Sequence, residues 1–599
     1  MILSLLRVRC RSAWIWWLVS VLLLWFILIN QLRLQWAANP QYSYGWVMPL
    51  LCLGLLSRRW VDEGRCQESS VFDSKSACEY LTERQINPVF LFVFCALLLL
   101  PLRLILEANP DWRTINWLLA SDVVGLTLLV IYYSCGPTLT RRLAFPVCFI
   151  LMAVPWPLFA EVTLIQGLTR ADVATTIECL GWFGIPAAQH GNLIEIGNGL
   201  VGVSDACSGI RSFQSSLMIS LFLGEFFRFS FGRRFGLALA AVTLAFLFNV
   251  CRTCLMVAVA SKEGVEAIER WHDPAGLSIS LACVLALWGL SLLLRGRKSK
   301  IQFPERERQG SSGQSSFSNW HQFRPLAGRL ALALLSWVIL VEVMVEGWYR
   351  GHESRANSVP EWTINWPPQE TGFREVSISQ TARDMLSYNE GHCGAWTSDQ
   401  GVEWMMYYFR WAPGRTAAFA ARGHTPGVCL AASGKILRPI ADNRCPIAVH
   451  SLEFPFRRYE FEENGQHVYV FYCLWEENAP GTYFTADTVG MLRLRLEAVL
   501  QGWRNLGQRS LELVVTGVSD LPAARNAAQE QLEKLITMTR APDVLSAQLP
   551  IPCKPEDRLG THITRKPDGA AGRPSVAKFS NAPMSGAQLY GTSGLPPKL

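Results

Sequence analysis

Residues 235–259 read FGLALAAVTLAFLFNVCRTCLMVAV, an unbroken apolar run in which Arg252 is the one ionisable side chain. A helix needs about 20 such residues to cross the roughly 30 Å hydrocarbon core of a bilayer. The run therefore predicts a membrane span and sets the pattern for its surroundings. Comparable runs lie at 13–30, 88–106, 116–133, 143–159, 213–227, 276–294 and 326–345. A shorter one at 45–56 contains Pro49 and becomes a span when Tyr42 and Tyr44 extend it. Composition agrees: half of the 599 residues are hydrophobic and 17% are charged. The expected fold is a polytopic α-helical membrane bundle of about eight spans plus one further span, followed by an extracytoplasmic α+β domain.

Basic residues orient the spans. Arg7, Arg9 and Arg11 precede the first, and Arg58 and Arg59 follow the second. Arg141 and Arg142 follow the fourth, Arg228, Arg233 and Arg234 the sixth, and Arg295, Arg297, Lys298 and Lys300 the eighth. Clusters at every second connection put the N-terminus in the cytoplasm, as the positive-inside rule requires. Residues 161–212 and 261–275 then become outer loops. The first apolar run ends in Ile-Asn-Gln-Leu-Arg, with no small-residue cleavage site, and reads as a retained span. The loop arginines account for the net charge of +7, so no nucleic-acid partner is implied.

On this topology three motifs converge on the outer face. Cys207 enters the sixth span in Ala206-Cys207-Ser208-Gly209-Ile210-Arg211. Arg252 lies roughly 25 Å along the seventh at about 1.5 Å per residue. His272 sits in the loop that follows, in His272-Asp273-Pro274. A helix N-terminus favours thiolate, as does Arg211 one turn on, whereas Asp205 opposes it. Asn249 shares a helical face with Arg252, and Asp273 is a candidate to orient the His272 ring. Against these stand blander readings: a packing cysteine, an arginine snorkelling to headgroups and a solvated loop histidine. Thiol, guanidinium and imidazole at one interface are the parts of a thiol-dependent acyl-transfer site, which needs no metal or organic cofactor.

Beyond residues 1–298, the polytopic unit, a Gly-, Ser- and Gln-rich stretch (299–325) reads as a cytoplasmic linker, and 326–346 as a further span. Residues 347–540 look globular. Residues 403–411, 467–475 and 510–518 have strand composition, and 485–503 and 521–539 have helical periodicity. Residues 541–599 read as a disordered tail. Seventeen cysteines are scattered, five of them in or beyond the outer region (Cys393, Cys429, Cys445, Cys473 and Cys553). An exterior location permits disulfides, without revealing their connectivity.

The motifs around Cys207, Asn249–Arg252 and His272-Asp273 resemble those of the exosortase and archaeosortase family of membrane transpeptidases. The resemblance covers about residues 13–298. Residues 39–49 are similar to that family's early outer loop, with Tyr44 where many members carry histidine. The outer region resembles an exosortase-associated domain through His424-Thr425-Pro426-Gly427-Val428-Cys429-Leu430, with Gly427 where many members are acidic. His424 and Cys429 are either a second thiol site or a buried turn with a disulfide. The resemblance implies Cys207, Arg252 and His272 as catalytic residues. It implies, as substrates, exported proteins with a C-terminal Pro-Glu-Pro-type motif, a transmembrane helix and a basic end. A thioester would pass to an unknown acceptor, a lipid or polysaccharide. Two other readings stay open: an intramembrane-type cysteine protease without transfer, and a non-catalytic membrane component of exopolysaccharide export.

Overall fold

A computed structural model describes residues 12–69, 88–295 and 324–540, less short segments that include 203–208, 265–266, 424–425 and 427–429. Its membrane unit comprises α1 (Ser12–Ala38), α2 (Met48–Ser69), α3 (Pro88–Ala108), α4 (Arg113–Cys148), α5 (Leu158–Trp182), α6 (Ile210–Phe226), α7 (Phe231–Glu263), α8 (Ala267–Leu294) and α9 (Arg324–Glu353). A small antiparallel sheet precedes α6: β1 (Ala187–His190), β2 (Leu193–Ile196) and β3 (Gly199–Gly202). It realises the extended stretch that alternating Leu, Ile and Val suggest.

Six described helices are long and apolar enough to cross a membrane: Ile15–Ala38, Val89–Ala108, Arg113–Ser134, Phe231–Glu263, Pro274–Arg295 and Arg329–Glu353. A seventh arises if Gly136–Ala153 and Leu158–Trp182, bent by 74°, count as one broken span. Two expected spans fall outside this set. Residues 45–56 begin in a 3-10 turn (Pro40–Trp46) and end in α2, which also carries Arg58, Arg59, Asp62 and Glu63. Residues 213–227 lie in α6, only 17 residues long and with Gln214, Ser216, Ser220 and Glu225 buried.

Two expected outer loops are helical instead. The run at 143–159 does not continue straight. Pro155 and Pro157 each lack an N–H, and Val154 before them is extended, so the helix stops there. The chain restarts as α5, filling 158–182 with helix where a loop from Glu161 was expected. Likewise α8 begins at Ala267, so His272 lies in its opening turns and not in a loop.

Packing divides the unit in two. In the first half Leu24, Leu28 and Leu32 of α1 form a stripe at helical spacing, buried with Leu99, Leu102 and Leu106 of α3. The last helix joins them through Leu334, Val338, Val341 and Val345. In the second half α6, α7 and α8 pack together through Leu223, Leu237, Ala241 and Leu287. There α5 and the small sheet cover the far end of α7 through Val173, Leu180, Ile194, Val257 and Ala260.

Charge sorts to the ends. At one end Arg59 and Arg234 both pair with Glu225, Arg58 lies over Phe226 and Arg295 over Phe227. These are the basic residues that the sequence pattern puts on a single side. At the opposite end the loop 109–112 meets the strand-rich region.

That region is α+β. It contains β4 (Glu361–Ile364), β5 (Arg374–Glu375), α10 (Gln380–Leu386), β6 (Glu390–Thr397), β7 (Glu403–Trp411), α11 (Ala417–Gly423), β8 (Ile447–Val449) and β9 (Leu452–Phe454). There follow β10 (Arg457–Glu463), β11 (Gln466–Glu476), α12 (Thr488–Leu500), β12 (Gln508–Thr516), α13 (Leu521–Leu535) and β13 (Ile536–Arg540). The main antiparallel sheet has the order β10-β11-β12-β7-β6-β5. Its three consecutive strands β11, β12 and β7 are those legible by composition. Leu511, Leu513 and Val515 face Ala524, Ala528, Leu532 and Leu535 of α13, a stripe at i, i+4, i+8 and i+11. Asp520 caps α13 by accepting the Ala523 N–H at 2.8 Å. Helical periodicity overran here: Ile536–Arg540 pairs with β4 as a strand, where β-branched Ile536, Thr537 and Thr539 fit better than in a helix.

Ion pairs join the region to the bundle. Arg504 reaches Glu107, Glu346 and Glu353, and Arg415 reaches Glu107. Asp111, between α3 and α4, pairs with Arg495 at 2.7 Å and Arg422 at 3.4 Å. Burial raises the Asp111 pKa, but the two guanidinium groups outweigh it and hold the carboxyl below its ordinary value. Cys393, Cys445 and Cys473 are buried free thiols, and burial pushes Cys393 up to about 12. Cys429, Cys553, the tail from 541 and the linker up to 323 lie outside the described residues.

Candidate active site

The site forms where α5, α6, α7 and α8 meet. Asn249, Arg252 and Thr253 project from neighbouring positions on α7, three and four residues apart. Asn249 is buried against Gly209, the residue that opens α6. Gly209 has φ +76°, and a Cβ there would stand 2.8 Å from Asn249 Cγ. Only glycine allows both the left-handed turn and this approach. The Cys207 motif is thereby anchored to the Asn249–Arg252 motif at its glycine. Cys207 itself lies outside the described residues. Arg211, in the first turn of α6, is exposed.

Arg252 is half-buried and spreads over α8, its guanidinium 3.6 Å from the point where Gly276 would carry a Cβ. His272 and Asp273 are helical residues within one turn of Gly276, and their side chains lie outside the described set. Gly209 of the first motif thus meets Asn249 of the second, and Gly276, on the helix that carries the third, meets Arg252.

Sequence reasoning missed a fourth contributor. Asp172 of α5 is fully buried and accepts a hydrogen bond from Thr253 Oγ1 at 2.7 Å. It also lies within electrostatic range of Arg252, and its second oxygen, Oδ1, is buried without a hydrogen-bond partner. In a stretch read as an outer loop over 161–212, Asp172 belongs to none of the motifs and is not singled out. Recognising α5 as helix was the signal required.

A second polar group flanks α6. Tyr42 donates to Glu161 at 3.0 Å and accepts the Trp156 N–H, and Arg113 pairs with Glu161. Gln214, one turn into α6, is fully buried beside Tyr42. Tyr44 instead donates to the Met152 carbonyl at 2.9 Å. His424 and Cys429 lie outside the described residues, and among the described residues no cluster of His, Cys, Asp and Glu could hold a metal ion. Towards the arginine-rich end, a groove of about 740 Å³ runs between α7 and α8, lined by Gly236, Ala240, Thr243, Ala286 and Gly289.

Fold and site together define a multi-pass membrane protein with a buried polar centre in its second helical half, followed by a region with strands. Residues 36–289 match the family model described as transmembrane exosortase. The match supports a membrane transpeptidase-like role. Nothing among the curated proteins or the solved structures matches the chain.

Proposed function

We propose that the protein is a membrane cysteine transpeptidase that cleaves C-terminal sorting signals of exported proteins and passes them through a thioester to an acceptor. The observation that carries this reading is the packing of Gly209, Asn249, Arg252 and Gly276, which supports a common centre for Cys207, Arg252 and His272. Cys207 thiolate attacks the scissile carbonyl carbon, and Arg252 stabilises the negative charge that builds on oxygen. His272 protonates the leaving amine and then deprotonates the acceptor nucleophile, which displaces the thiolate. The bilayer is the enzyme's setting: the site and the strand-rich region face outward from the cytoplasmic membrane and the N-terminus faces the cytoplasm. The arginines gathered around Glu225, Phe226 and Phe227 support this orientation. The apolar groove between α7 and α8, in which Gly236, Ala240, Ala286 and Gly289 alternate with Leu239, Leu244, Leu290 and Leu293, supports lateral docking of the substrate's transmembrane helix. The strand-rich region is an exosortase-associated domain.

Co-expression with a tagged protein ending in a Pro-Glu-Pro-type motif, apolar helix and basic end tests the proposal. The wild-type enzyme shortens the tagged protein or shifts it to a new acceptor-linked species. Cys207→Ala, present at equal level in the membrane, leaves it at full length. Processing that persists with Cys207→Ala contradicts a thiol mechanism.

A further inference from the structure

We propose that Asp172 is a positioning residue that sets the orientation of Arg252 at the reacting end of α7. The inference rests on the assignment of Arg252 to the oxyanion and deepens it. Asp172 sits mid-helix in α5 with no exposure, on an element that contributes none of the sequence motifs. A carboxylate inside a membrane bundle is costly, and persists where fixed donors and cations surround it. Two of them come from one face of α7: the Thr253 hydroxyl, which donates at 2.7 Å, and the Arg252 charge.

The consequence is geometric. Arginine has many rotamers, and a guanidinium stabilises a developing charge only if it is aimed beforehand. Gly276 leaves room on the α8 side, and Asp172 supplies the attraction on the α5 side. Asn249, one turn before Thr253 on α7, packs against Gly209, so the helix face that Asp172 holds through Thr253 is also the one that meets the start of α6. Asp273, which the sequence offered as an orienting acid, lies on α8 next to His272, whereas Asp172 faces Arg252.

The test compares full-length variants in membranes, using a tagged substrate with the tripartite signal. Asp172→Asn, nearly isosteric, is expected to lower the maximal processing rate about 10- to 100-fold with KM unchanged, the range for a group that orients a functional ligand. In an Arg252→Lys background, whose cation no longer presents a planar fork, the same substitution adds little further loss. Thr253→Val, which removes one donor to Asp172, gives a smaller loss that also vanishes in that background. Wild-type rates in Asp172→Asn overturn the proposal, as do equal fold-losses in both backgrounds, the mark of a merely structural role. Cys207→Ala run alongside separates the two levels. If it still processes substrate, the catalytic reading itself fails. If it is inactive while Asp172→Asn is unimpaired, only the positioning role falls.

Discussion

Arg252→Ala is expected to slow processing about 10²- to 10³-fold while the protein stays at its normal level in the membrane. The magnitude is that of removing one preorganised donor to a developing oxyanion. Retained folding follows from the surroundings. Asp172 keeps its hydrogen bond from Thr253, so the buried carboxylate retains a donor when the guanidinium goes. The half-buried arginine contributes little to the packed cores of this half, which are built from Val257, Ala260, Leu237 and Leu287. Initial processing rates, normalised to enzyme in the membrane fraction, give the measurement. A rate near wild type would reduce Arg252 to a side chain reaching for headgroups. Gly276 provides the companion test. An added Cβ would lie at an ordinary 3.6 Å from the guanidinium, so Gly276→Ala is tolerated, whereas Gly276→Leu displaces the group and mimics its loss.

The second large effect concerns Asp111, which joins the bundle to the strand-rich region. Asp111→Ala takes from Arg495 and Arg422, whose side chains are 16% and 33% exposed, the carboxylate they share. Breaking a mostly buried pair by deleting one partner costs about 3 kcal/mol, since the remaining charge stays desolvated. Arg422 keeps Glu476 at 2.6 Å, which places the cost at the lower end of the usual range. The strand-rich region should then become sensitive to protease in full-length protein embedded in bilayer discs. Acid should do the same to the wild type. The folded Asp111 pKa is depressed, so its stabilisation is complete above the ordinary aspartate value near 4 and fades as pH falls through the lowered one. Unchanged proteolysis in Asp111→Ala would mean that Arg504, with Glu107, Glu346 and Glu353, holds the junction without it.

The parts legible in the sequence are those decided by composition over long windows. Uninterrupted apolar runs located the helices at 15–38, 89–108, 113–134, 231–263, 274–295 and 329–353. Aromatic and β-branched density located β7, β11 and β12, three consecutive interior strands of the main sheet. What failed was set by single residues or by tertiary context. Pro155 and Pro157 turned one expected span into a bent pair, and with it an expected loop into α5. Gln214, Ser216, Ser220 and Glu225 of α6 are buried among helices, so the composition of that element reflects its packing and not only its surroundings. At the site, Asn249 and Arg252 are legible as neighbours on one helical face, but Asp172 was hidden within a presumed loop and the packing of Gly209 on Asn249 has no local signature. The contact of Tyr42 with Glu161 spans the long interval between two helices and leaves no local signature.

The most direct test of the central claim is the acyl group on Cys207. Purified full-length enzyme is mixed with a peptide spanning the sorting signal, quenched in acid and examined by mass spectrometry of the fragment containing Cys207. The account predicts a mass increase equal to the substrate portion upstream of the cleavage point, discharged by neutral hydroxylamine as the matching hydroxamate. Cleaved peptide with Cys207 unmodified throughout, and no hydroxamate formed, would contradict it.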